Sequence, residues 1–211
     1  MRKNIIISFF TLLIISACSK DDTTAPVITI NGTNPYVLLW GSDSTYLDPG
    51  AIATDDFDGE ITCEVSGSVD MFSAGVYTIT YSATDVAENS ISVTRTVIID
   101  AAAVLADNFN VENFIGVEYD TTYYDTIYVA GSINNKISFK HFAGIKNAGI
   151  YANISGTSIN IPEQIVFCGE PAENKTFSGT GTFSNDTAFT INYFVDVNGF
   201  MYSGYGNYSK N

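Results

Sequence analysis

Apolar and polar residues alternate most strictly in the segment 75–85. Tyr77, Ile79, Tyr81 and Ala83 share one parity, whereas threonine and serine residues occupy the other. Because successive side chains of a strand point to opposite faces of its sheet, this pattern predicts a strand with one buried and one solvated face. Short runs rich in β-branched residues predict three further strands in this half, at residues 27–30, 36–40 and 90–99. Turn residues recur at short spacing without a helical period between them, so we expect an antiparallel sandwich.

The second half of the chain shows the same kind of pattern over more segments. Residue pairs such as Asn134-Asn135, Ser155-Gly156, Asn185-Asp186 and Asn198-Gly199 separate the apolar runs and are typical of hairpin turns. The predicted strands are residues 117–119, 123–130, 136–142, 149–154, 158–161, 164–167, 176–183, 188–195 and 200–208. We therefore predict an all-β protein whose second half is an antiparallel meander, either a small closed barrel or a sandwich. Residues 101–106 carry no strand pattern and are predicted to be a short connection.

The N-terminal residues predict export and anchoring. Arg2 and Lys3 precede an apolar run over residues 5–15, which is the layout of a secretory signal and is too short to span a bilayer. The tetrapeptide that follows, Ile15-Ser16-Ala17-Cys18, resembles the lipobox of bacterial lipoproteins. The resemblance implies that residues 1–17 are a signal peptide and that Cys18 is acylated. Residues 18–26 would then be a lipidated tether, with the membrane as a partner through that anchor.

The residues after Cys18 suggest a destination. Ser19-Lys20-Asp21-Asp22 resembles the export tag that sends Bacteroidota lipoproteins to the outer face of the outer membrane. We therefore expect a lipid-anchored protein of the outer membrane that faces the cell exterior.

Composition excludes one class of partner. The chain has 23 acidic and 9 basic residues and a formal net charge of −14 at pH 7. A chain of this charge is repelled by nucleic acid, so we expect no nucleic-acid partner. With Cys18 acylated, Cys63 and Cys168 remain in different predicted domains, and we expect two buried free thiols rather than a disulfide.

Several motifs of the first half occur together in one known family. In order they are residues 25–28, 46–51, 53–55, 58–62 and 75–81. This set resembles bacterial immunoglobulin-like domains of the hyalin-repeat type, which implies an immunoglobulin-like β-sandwich over residues 27–100 that acts as a spacer or adhesive module without catalytic residues. The family often has Ala-Gly-Asn where this chain has Ala87-Glu88-Asn89, and a glycine suits a positive φ at that turn better than glutamate.

The second half, residues 107–211, resembles the C-terminal β-domain of small Bacteroidota surface lipoproteins. The resemblance is carried by residues 149–152, 159–162 with Gln164, 177–181 and 208–210. It implies an accessory lipoprotein, since some such proteins accompany starch-utilisation-type importers of the outer membrane.

Four acidic residues form a candidate metal site. Asp55, Asp56, Asp58 and Glu60 surround Gly59, and carboxylates at such spacing could hold calcium, which takes six to eight oxygen ligands. The segment lacks the twelve-residue loop of an EF-hand. We favour the alternative that aspartate side chains cap backbone amides in an acidic turn, and we expect no cofactor.

The sequence offers little for catalysis. His141 is the one histidine of the chain, which excludes a two-histidine zinc motif, and no Gly-x-Ser-x-Gly elbow or phosphate loop occurs. We therefore expect a protein that is not an enzyme, with a hydrolase as the less favoured alternative.

Aromatic residues are the candidates for ligand binding. One group is Tyr123, Tyr124 and Tyr128, and a second lies on the last predicted strand, at Phe200, Tyr202 and Tyr205. Tyrosine rings beside glycines could form a platform for a sugar ring or a peptide, although rings also fill β-sandwich cores and we favour the core for most of them. The function expected is a non-catalytic surface lipoprotein that binds a glycan or peptide or serves an outer-membrane importer. The alternative is an adhesin or a structural protein of the envelope.

Overall fold

The computed structural model describes residues 22–115, 118–131, 135–169 and 171–211, without the side chains of Glu118 and Tyr119. The predicted anchor residue Cys18 lies outside the described residues. The described residues contain fifteen strands and one short helix, which confirms the predicted all-β fold. None of the described helices is long and apolar enough to cross a membrane.

The first seven strands form a sandwich of two sheets. They are β1 (Val27–Ile30), β2 (Tyr36–Leu39), β3 (Ala51–Asp55), β4 (Gly59–Ile61), β5 (Glu64–Ser66), β6 (Gly75–Thr84) and β7 (Ser90–Asp100). One sheet has the order β1-β3-β4 and the other the order β2-β7-β6-β5. The expectation of a purely antiparallel sandwich was wrong in one place, because β2 pairs with β7 in parallel. The long connection between β2 and β7 contains the strands β3 to β6, and a connection of this length allows two strands to pair in parallel.

A buried arginine holds the centre of the sandwich. Arg95 is fully buried on β7, and its Nη2 donates hydrogen bonds to the carbonyl oxygens of Asn31 and Gly50 at 2.5 and 3.1 Å. Asp48 lies 3.8 Å from Arg95 Nε and accepts a hydrogen bond of 2.6 Å from the Tyr81 hydroxyl. A buried charge is tolerated when it is paired and hydrogen-bonded, which explains why the segment 46–51 carries tyrosine and aspartate beside glycine.

The last eight strands close into an antiparallel barrel. They are β8 (Asn108–Ile115), β9 (Glu118–Val129), β10 (Lys136–Phe139), β11 (Ile150–Ser155), β12 (Ser158–Cys168), β13 (Glu173–Phe183), β14 (Ala188–Val197) and β15 (Phe200–Lys210). Each strand pairs with its sequence neighbour, and β15 pairs with β8 to close the ring. Of the two architectures left open by the sequence, the barrel is the one observed.

Several predicted boundaries in the barrel differ from the observed ones. The strands predicted at 117–119 and 123–130 are one strand, β9. The two strands predicted at 158–161 and 164–167 are one strand, β12, with a register shift between Ile161 and Gln164. The irregularity at Pro162 and Glu163 changes the parity of the residues that point into the barrel. The alternation along the sequence is therefore interrupted there, although the strand continues. β10 ends at Phe139 rather than at residue 142, and β8 was not predicted at all.

The junction between the two domains is packed rather than open. The predicted connection at 101–106 contains a short helix, Ala102–Leu105, and its Leu105 is fully buried. The buried Asn135 side chain accepts a hydrogen bond from Ala101 N at 2.7 Å and donates one to Ile99 O at 2.8 Å. At the same end of the barrel the rings of Trp40 and Phe183 meet edge to face, 5.1 Å apart. The barrel therefore rests on the sandwich at one end, which leaves the other end, the distal mouth, facing away.

Candidate functional site

The distal mouth of the barrel holds an open cavity of about 730 Å³. It lies where β8, β12 and β14 end and where β13 and β15 begin. Its lining residues are Ile115, Ala143, Gly144, Ile145, Lys146, Asn147, Phe167, Cys168, Gly169, Ala172, Lys175, Tyr193, Val195, Val197 and Tyr202. Eight-stranded barrels are just wide enough to be filled by side chains or to hold one small ligand, and this barrel does the first at one end and leaves room at the other.

A cluster of aromatic rings around Phe142, here called the Phe142 plug, fills the barrel interior next to the mouth. Phe142, in the segment between β10 and β11, is fully buried, and its ring lies 5.4 Å from the rings of Phe139 and Tyr193 and 6.1 Å from that of Phe177. Phe142 and Ile145 exchange backbone hydrogen bonds of 3.1 and 2.8 Å around Ala143 and Gly144, which both have positive φ. This tight turn directs the Phe142 ring into the barrel and places Ala143 and Gly144 in the mouth.

The rim of the mouth is apolar and exposed. Tyr202 is 49% exposed, and Phe167 and Phe200 are each 70% exposed. Ile115 is exposed beside them. A cluster of exposed large apolar side chains around a concavity is typical of a binding site, because such groups gain free energy when a ligand removes them from water.

Polar groups in the mouth are already held by partners. The Lys175 ammonium pairs with the Glu173 carboxylate, which also accepts a hydrogen bond of 2.8 Å from Asn198 Nδ2. These two hydrogen bonds, that of Lys175 first, lower the pKa of Glu173. The Cys168 thiol is buried in the lining, and burial raises its pKa, so that it is a poor nucleophile. The Tyr193 hydroxyl donates a hydrogen bond of 2.8 Å to Asn113 Oδ1, and burial raises the pKa of Tyr193 to about 12.

A carboxyl group lies inside the barrel near the plug. Asp125 on β9 is 1% exposed, and its Oδ1 accepts a hydrogen bond of 2.8 Å from the backbone N of His141. Its Oδ2 is buried with no hydrogen-bond partner among the described residues. Burial raises the pKa of Asp125 to about 7, against several backbone hydrogen bonds that lower it. This residue fastens the start of the segment 140–149 to the barrel wall.

The structure divides the second predicted aromatic group between the mouth and the outer wall. Phe200 and Tyr202 stand at the mouth. Tyr205 has the opposite parity on β15 and stacks on Phe114, with 4.5 Å between the ring centroids and 7° between the planes. The neighbouring glycine Gly204 is not part of an open platform, because a Cβ at that position would come within 2.5 Å of the Tyr193 hydroxyl. The glycine makes room for a core ring.

The first predicted aromatic group is also divided. The Tyr123 side chain is half-buried on the same parity of β9 as Asp125 and Ile127, and burial raises its pKa above the usual range. Tyr124 and Tyr128 point the other way, to the outside of the barrel, where they are 69% and 50% exposed. The three tyrosines therefore do not form one surface.

The predicted acidic group is also separated by the fold. Asp55 is buried, and its Oδ1 accepts hydrogen bonds from the backbone N atoms of Phe57 and Asp58 at 2.8 and 3.0 Å. Asp56 and Glu60 are exposed. Asp58 Oδ2 accepts a hydrogen bond of 2.8 Å from Val86 N, in the turn between β6 and β7. The arrangement at Asp55 is the aspartate-capped turn that the sequence favoured.

His141 lies in a bend after β10 and not inside a strand. Its Nδ1 accepts a hydrogen bond of 3.0 Å from Asn147 N. Burial, and then the charges of Lys140 and Lys146, lower its pKa. The ring therefore helps to shape the segment 140–149.

The two remaining cysteines are free thiols, Cys168 buried as expected and Cys63 only half-buried.

Most of the residues that line the mouth were missed from the sequence. Ile115, Cys168 and Val197 are strand-end residues, and Ala143 to Asn147 were assigned to a strand end or a turn. The signal that could have found them is the meander itself, since in an antiparallel barrel alternate strand ends meet at one mouth. To find the mouth in this way, the strand ends must be predicted correctly, and the sequence did not give the ends of β8 and β12.

The comparisons with known proteins concern the sandwich most directly. Residues 28–99 match the family model of the bacterial surface protein Ig-like domain. The match begins and ends within one residue of the sandwich strands and leaves the barrel outside. The Ig-like domain of this chain is thus of the kind found in bacterial surface proteins.

One solved structure is similar over most of the chain. It is the crystal structure of the lipoprotein BT2262 from Bacteroides thetaiotaomicron, with 15% sequence identity and a TM-score of 0.35. The similarity covers 86% of this chain and 98% of that chain. No curated protein matches the chain.

Proposed function

We propose that this chain is a non-catalytic lipoprotein, anchored through Cys18 at the outer face of the outer membrane, that binds a ligand in the distal mouth of its barrel. The family match of residues 28–99 supports a place among bacterial surface proteins. The lipobox-like residues Ile15 to Cys18 and the acidic segment that follows support the anchor and its orientation.

The open cavity at the mouth is the observation that carries the binding proposal. The barrel interior around Phe142 is filled, whereas the cavity at the mouth, whose lining includes Tyr193, Val195 and Tyr202, leaves about 730 Å³ open. This volume falls in the range of roughly 300–1,000 Å³ that is usual for small-molecule sites. A protein that needed the barrel only as a spacer would gain stability by filling this space.

The chemistry of the mouth indicates the ligand class. Tyr202, Phe167 and Phe200 offer ring faces and edges, while Lys146 and Asn147 offer hydrogen-bond donors on the opposite side. Ring faces with a few polar groups bind sugar rings and the aromatic or aliphatic side chains of peptides. We therefore assign the mouth to a glycan or a peptide.

The domain order suits an accessory role. The sandwich contacts the barrel at the end opposite the mouth, so it acts as a spacer that keeps the mouth clear of the membrane. Outside the mouth, Ile165, Phe194 and Met201 are exposed on the outer faces of β12, β14 and β15. The register joins Ile165 through Thr176 and Asp196 to Met201. These exposed apolar side chains, with Thr176 and Asp196 between them on the outer wall, would contact an importer of the outer membrane.

The absence of a catalytic role is part of the same proposal. The Glu173 carboxylate near the mouth is neutralised by Lys175, the Cys168 thiol has a raised pKa, and the ring of His141 is tied to Asn147. None of these groups is placed to transfer a proton to a ligand in the mouth.

Binding is tested on glycan and peptide arrays, followed by titration of the best ligand with matched variants. Tyr202→Ala removes a ring at the mouth, and we expect binding to weaken at least about fivefold, since one aromatic contact contributes roughly 1–3 kcal/mol. Tyr124→Ala is the control, because it removes an exposed ring from the outer wall. It should leave the affinity unchanged.

Equal affinities of Tyr202→Ala and the unmodified protein would contradict the assignment to the mouth. If neither array gives a ligand and only outer-membrane proteins co-purify, the adhesin or structural alternative is favoured, with Met201→Asp as the variant that should abolish that contact. Anchoring is tested separately: labelled palmitate should enter the protein and should not enter Cys18→Ala.

A further inference from the structure

Three carboxylates from distant parts of the chain meet at the end of the sandwich that lies away from the barrel. They belong to Asp22, which precedes β1, to Asp58 in the turn between β3 and β4, and to Asp85 at the end of β6. One carboxylate oxygen from each lies within 4.8 Å of the others. This set differs from the acidic group that the sequence suggested, and Asp58 is the one residue that the two share.

Two carboxylate oxygens at this place are buried without a partner. Asp55 is 8% exposed, and its Oδ1 caps the backbone N atoms of Phe57 and Asp58, so its carboxylate lies against the segment that carries Asp58. Its Oδ2 is buried and has no hydrogen-bond partner among the described residues. The same is true of Asp22 Oδ2, which belongs to the carboxylate cluster itself. A buried carboxylate oxygen without a donor is costly, and it indicates a missing ligand of positive charge.

No positive side chain meets this need. Among the residues that the structure describes, the ion pairs involve Arg95, Lys175 and Lys210, and none of them includes Asp22, Asp55, Asp58 or Asp85. Backbone and amide donors satisfy only part of the cluster, with Asn89 donating to both oxygens of Asp85 at 2.8 Å. Three negative groups so close together repel one another unless a cation lies between them.

We propose that these carboxylates bind a divalent cation of the hard, oxygen-preferring kind, and that calcium is the one that fits. Asp22, Asp58 and Asp85 would bind it directly, with the unpartnered Oδ2 of Asp22 as one ligand, while Asp55 holds the turn that carries Asp58 through the backbone N atom of Asp58. The donor set contains only oxygen, which disfavours zinc. Its ligands come from three separate segments, and such an arrangement suits the flexible coordination of calcium better than the strict octahedron of magnesium.

A cation at this site would attach the N-terminal segment that carries Asp22, within the predicted tether 18–26, to the sandwich. Asp22 lies four residues after Cys18, and Asp58 and Asp85 lie in turns of different sheets. A cation held by all three would fix the direction in which the folded part leaves its N-terminal segment. This inference does not depend on ligand binding at the mouth.

Calcium binding is tested by isothermal titration calorimetry on the purified full chain in detergent, after treatment with a chelator. We expect saturable binding of one Ca²⁺ with a Kd of roughly 0.1–1 mM, the range of extracellular calcium modules, and weaker binding of Mg²⁺. About 10 mM Ca²⁺ should raise Tm by roughly 3–10 °C.

Matched variants separate a site from a general effect of charge. Asp58→Asn and Asp22→Asn should each weaken Ca²⁺ binding at least tenfold. Asp22 precedes the first strand, so Asp22→Asn should keep the metal-free Tm of the unmodified protein even if Asp58→Asn does not fold. Asp56→Asn is the control, because it removes the same charge from an exposed position in the same turn and should change the Kd less than twofold.

Three results would overturn the proposal. The first is no binding heat and no change in Tm up to about 10 mM Ca²⁺, well above the affinity range of such modules. The second is an unchanged Kd in Asp22→Asn, which would remove the tether from the site. The third is an equal loss in Asp56→Asn and Asp58→Asn, which would reduce the effect to the overall charge of the turn.

Discussion

At the scale of single residues, the fold is marked by ionisable groups that are buried for different reasons. Arg95 donates through Nη2 to two backbone carbonyl oxygens, lies near the Asp48 carboxylate and packs on the rings of Tyr36 and Tyr81. Its Nε and Nη1 have no hydrogen-bond partner among the described residues. Asp125 has backbone donors on one oxygen and none on the other. Burial without a donor on the second oxygen favours protonation of Asp125.

Asp125 makes stability depend on pH in an unusual direction. Its pKa rises from an ordinary value of 3.8 to about 7 on folding because of burial. The folded protein therefore holds a proton that the unfolded chain has lost between these values, and stability falls as the pH rises from about 4 to about 7. In Asp125→Asn we expect the loss in unfolding free energy between pH 5 and pH 8 to shrink by roughly 2–3 kcal/mol, measured by urea denaturation.

The control for this prediction is Asp56→Asn, which removes a carboxylate from an exposed position. Its pH profile should follow that of the unmodified protein. A pH profile of Asp125→Asn that also follows it would show that Asp125 is ionised in the folded state at pH 5.

At the scale of elements, the sequence predicted strands best where one face is buried and the other is wet. Ile79, Tyr81 and Ala83 are buried on β6, and the residues between them are more exposed, as the alternation in 75–85 indicates. The short strands β3, β4 and β5 were missed, because runs of three to five residues are too short to show a period. The turn at Glu88 keeps its positive φ of 71° without the usual glycine, because Asp85 and Asn89 fix the turn through their side chains.

The candidate site was harder to predict than the strands. The sequence named both Tyr202 and Tyr205 as binding candidates and predicted that they point to opposite faces of the last strand. Tyr202 lines the mouth, whereas Tyr205 stacks on Phe114. Phe142 was placed at the end of a strand, whereas its position depends on the turn at Ala143 and Gly144. Which rings enter a barrel and which line its mouth depends on closure, and closure is a property of pairs of strands far apart in sequence.

The Phe142 plug should be a large contributor to the stability of the barrel. Phe142→Ala would leave a cavity between Phe139, Phe177 and Tyr193, and we expect a loss of about 3–5 kcal/mol in the free energy of unfolding, measured by chemical denaturation. Phe200→Ala is the control, because that ring is 70% exposed and its removal should cost less than about 1 kcal/mol. Equal losses in the two variants would contradict the assignment of Phe142 to the core.

At the scale of the whole molecule, the two domains behave as parts of one packed body at their junction. The hydrophobic core continues from Trp40 and Met71 of the sandwich through Leu105 to the barrel interior. A backbone bridge between Ala74 and Gly156 adds hydrogen bonds of 2.8 and 3.0 Å across the junction. The segment that the sequence suggested as a simple connection is therefore structural.

The Asn135 side chain holds the junction together through hydrogen bonds to the backbone of Ile99 and Ala101. Asn135 has a positive φ of 45°, so Asn135→Gly keeps the backbone conformation and removes only the hydrogen bonds to Ile99 and Ala101. Two buried backbone groups would then lack partners, and we expect a loss of roughly 2–4 kcal/mol and a split of the calorimetric transition into two. Asn147→Gly is the control, since Asn147 has a φ of 54° and an exposed side chain. A single transition at an unchanged temperature in Asn135→Gly would show that the junction does not couple the domains.

Ring closure in the barrel has a consequence for life at high density on a surface. Each of its eight strands is bonded to a neighbour on both sides, so another chain has no row of free backbone groups to join. In the sandwich, the strands at the borders of the two sheets are β1, β2, β4 and β5, each of three or four residues, while the long strands β6 and β7 lie between them. Copies held side by side therefore have few free strand edges through which backbone pairing into fibrils could begin.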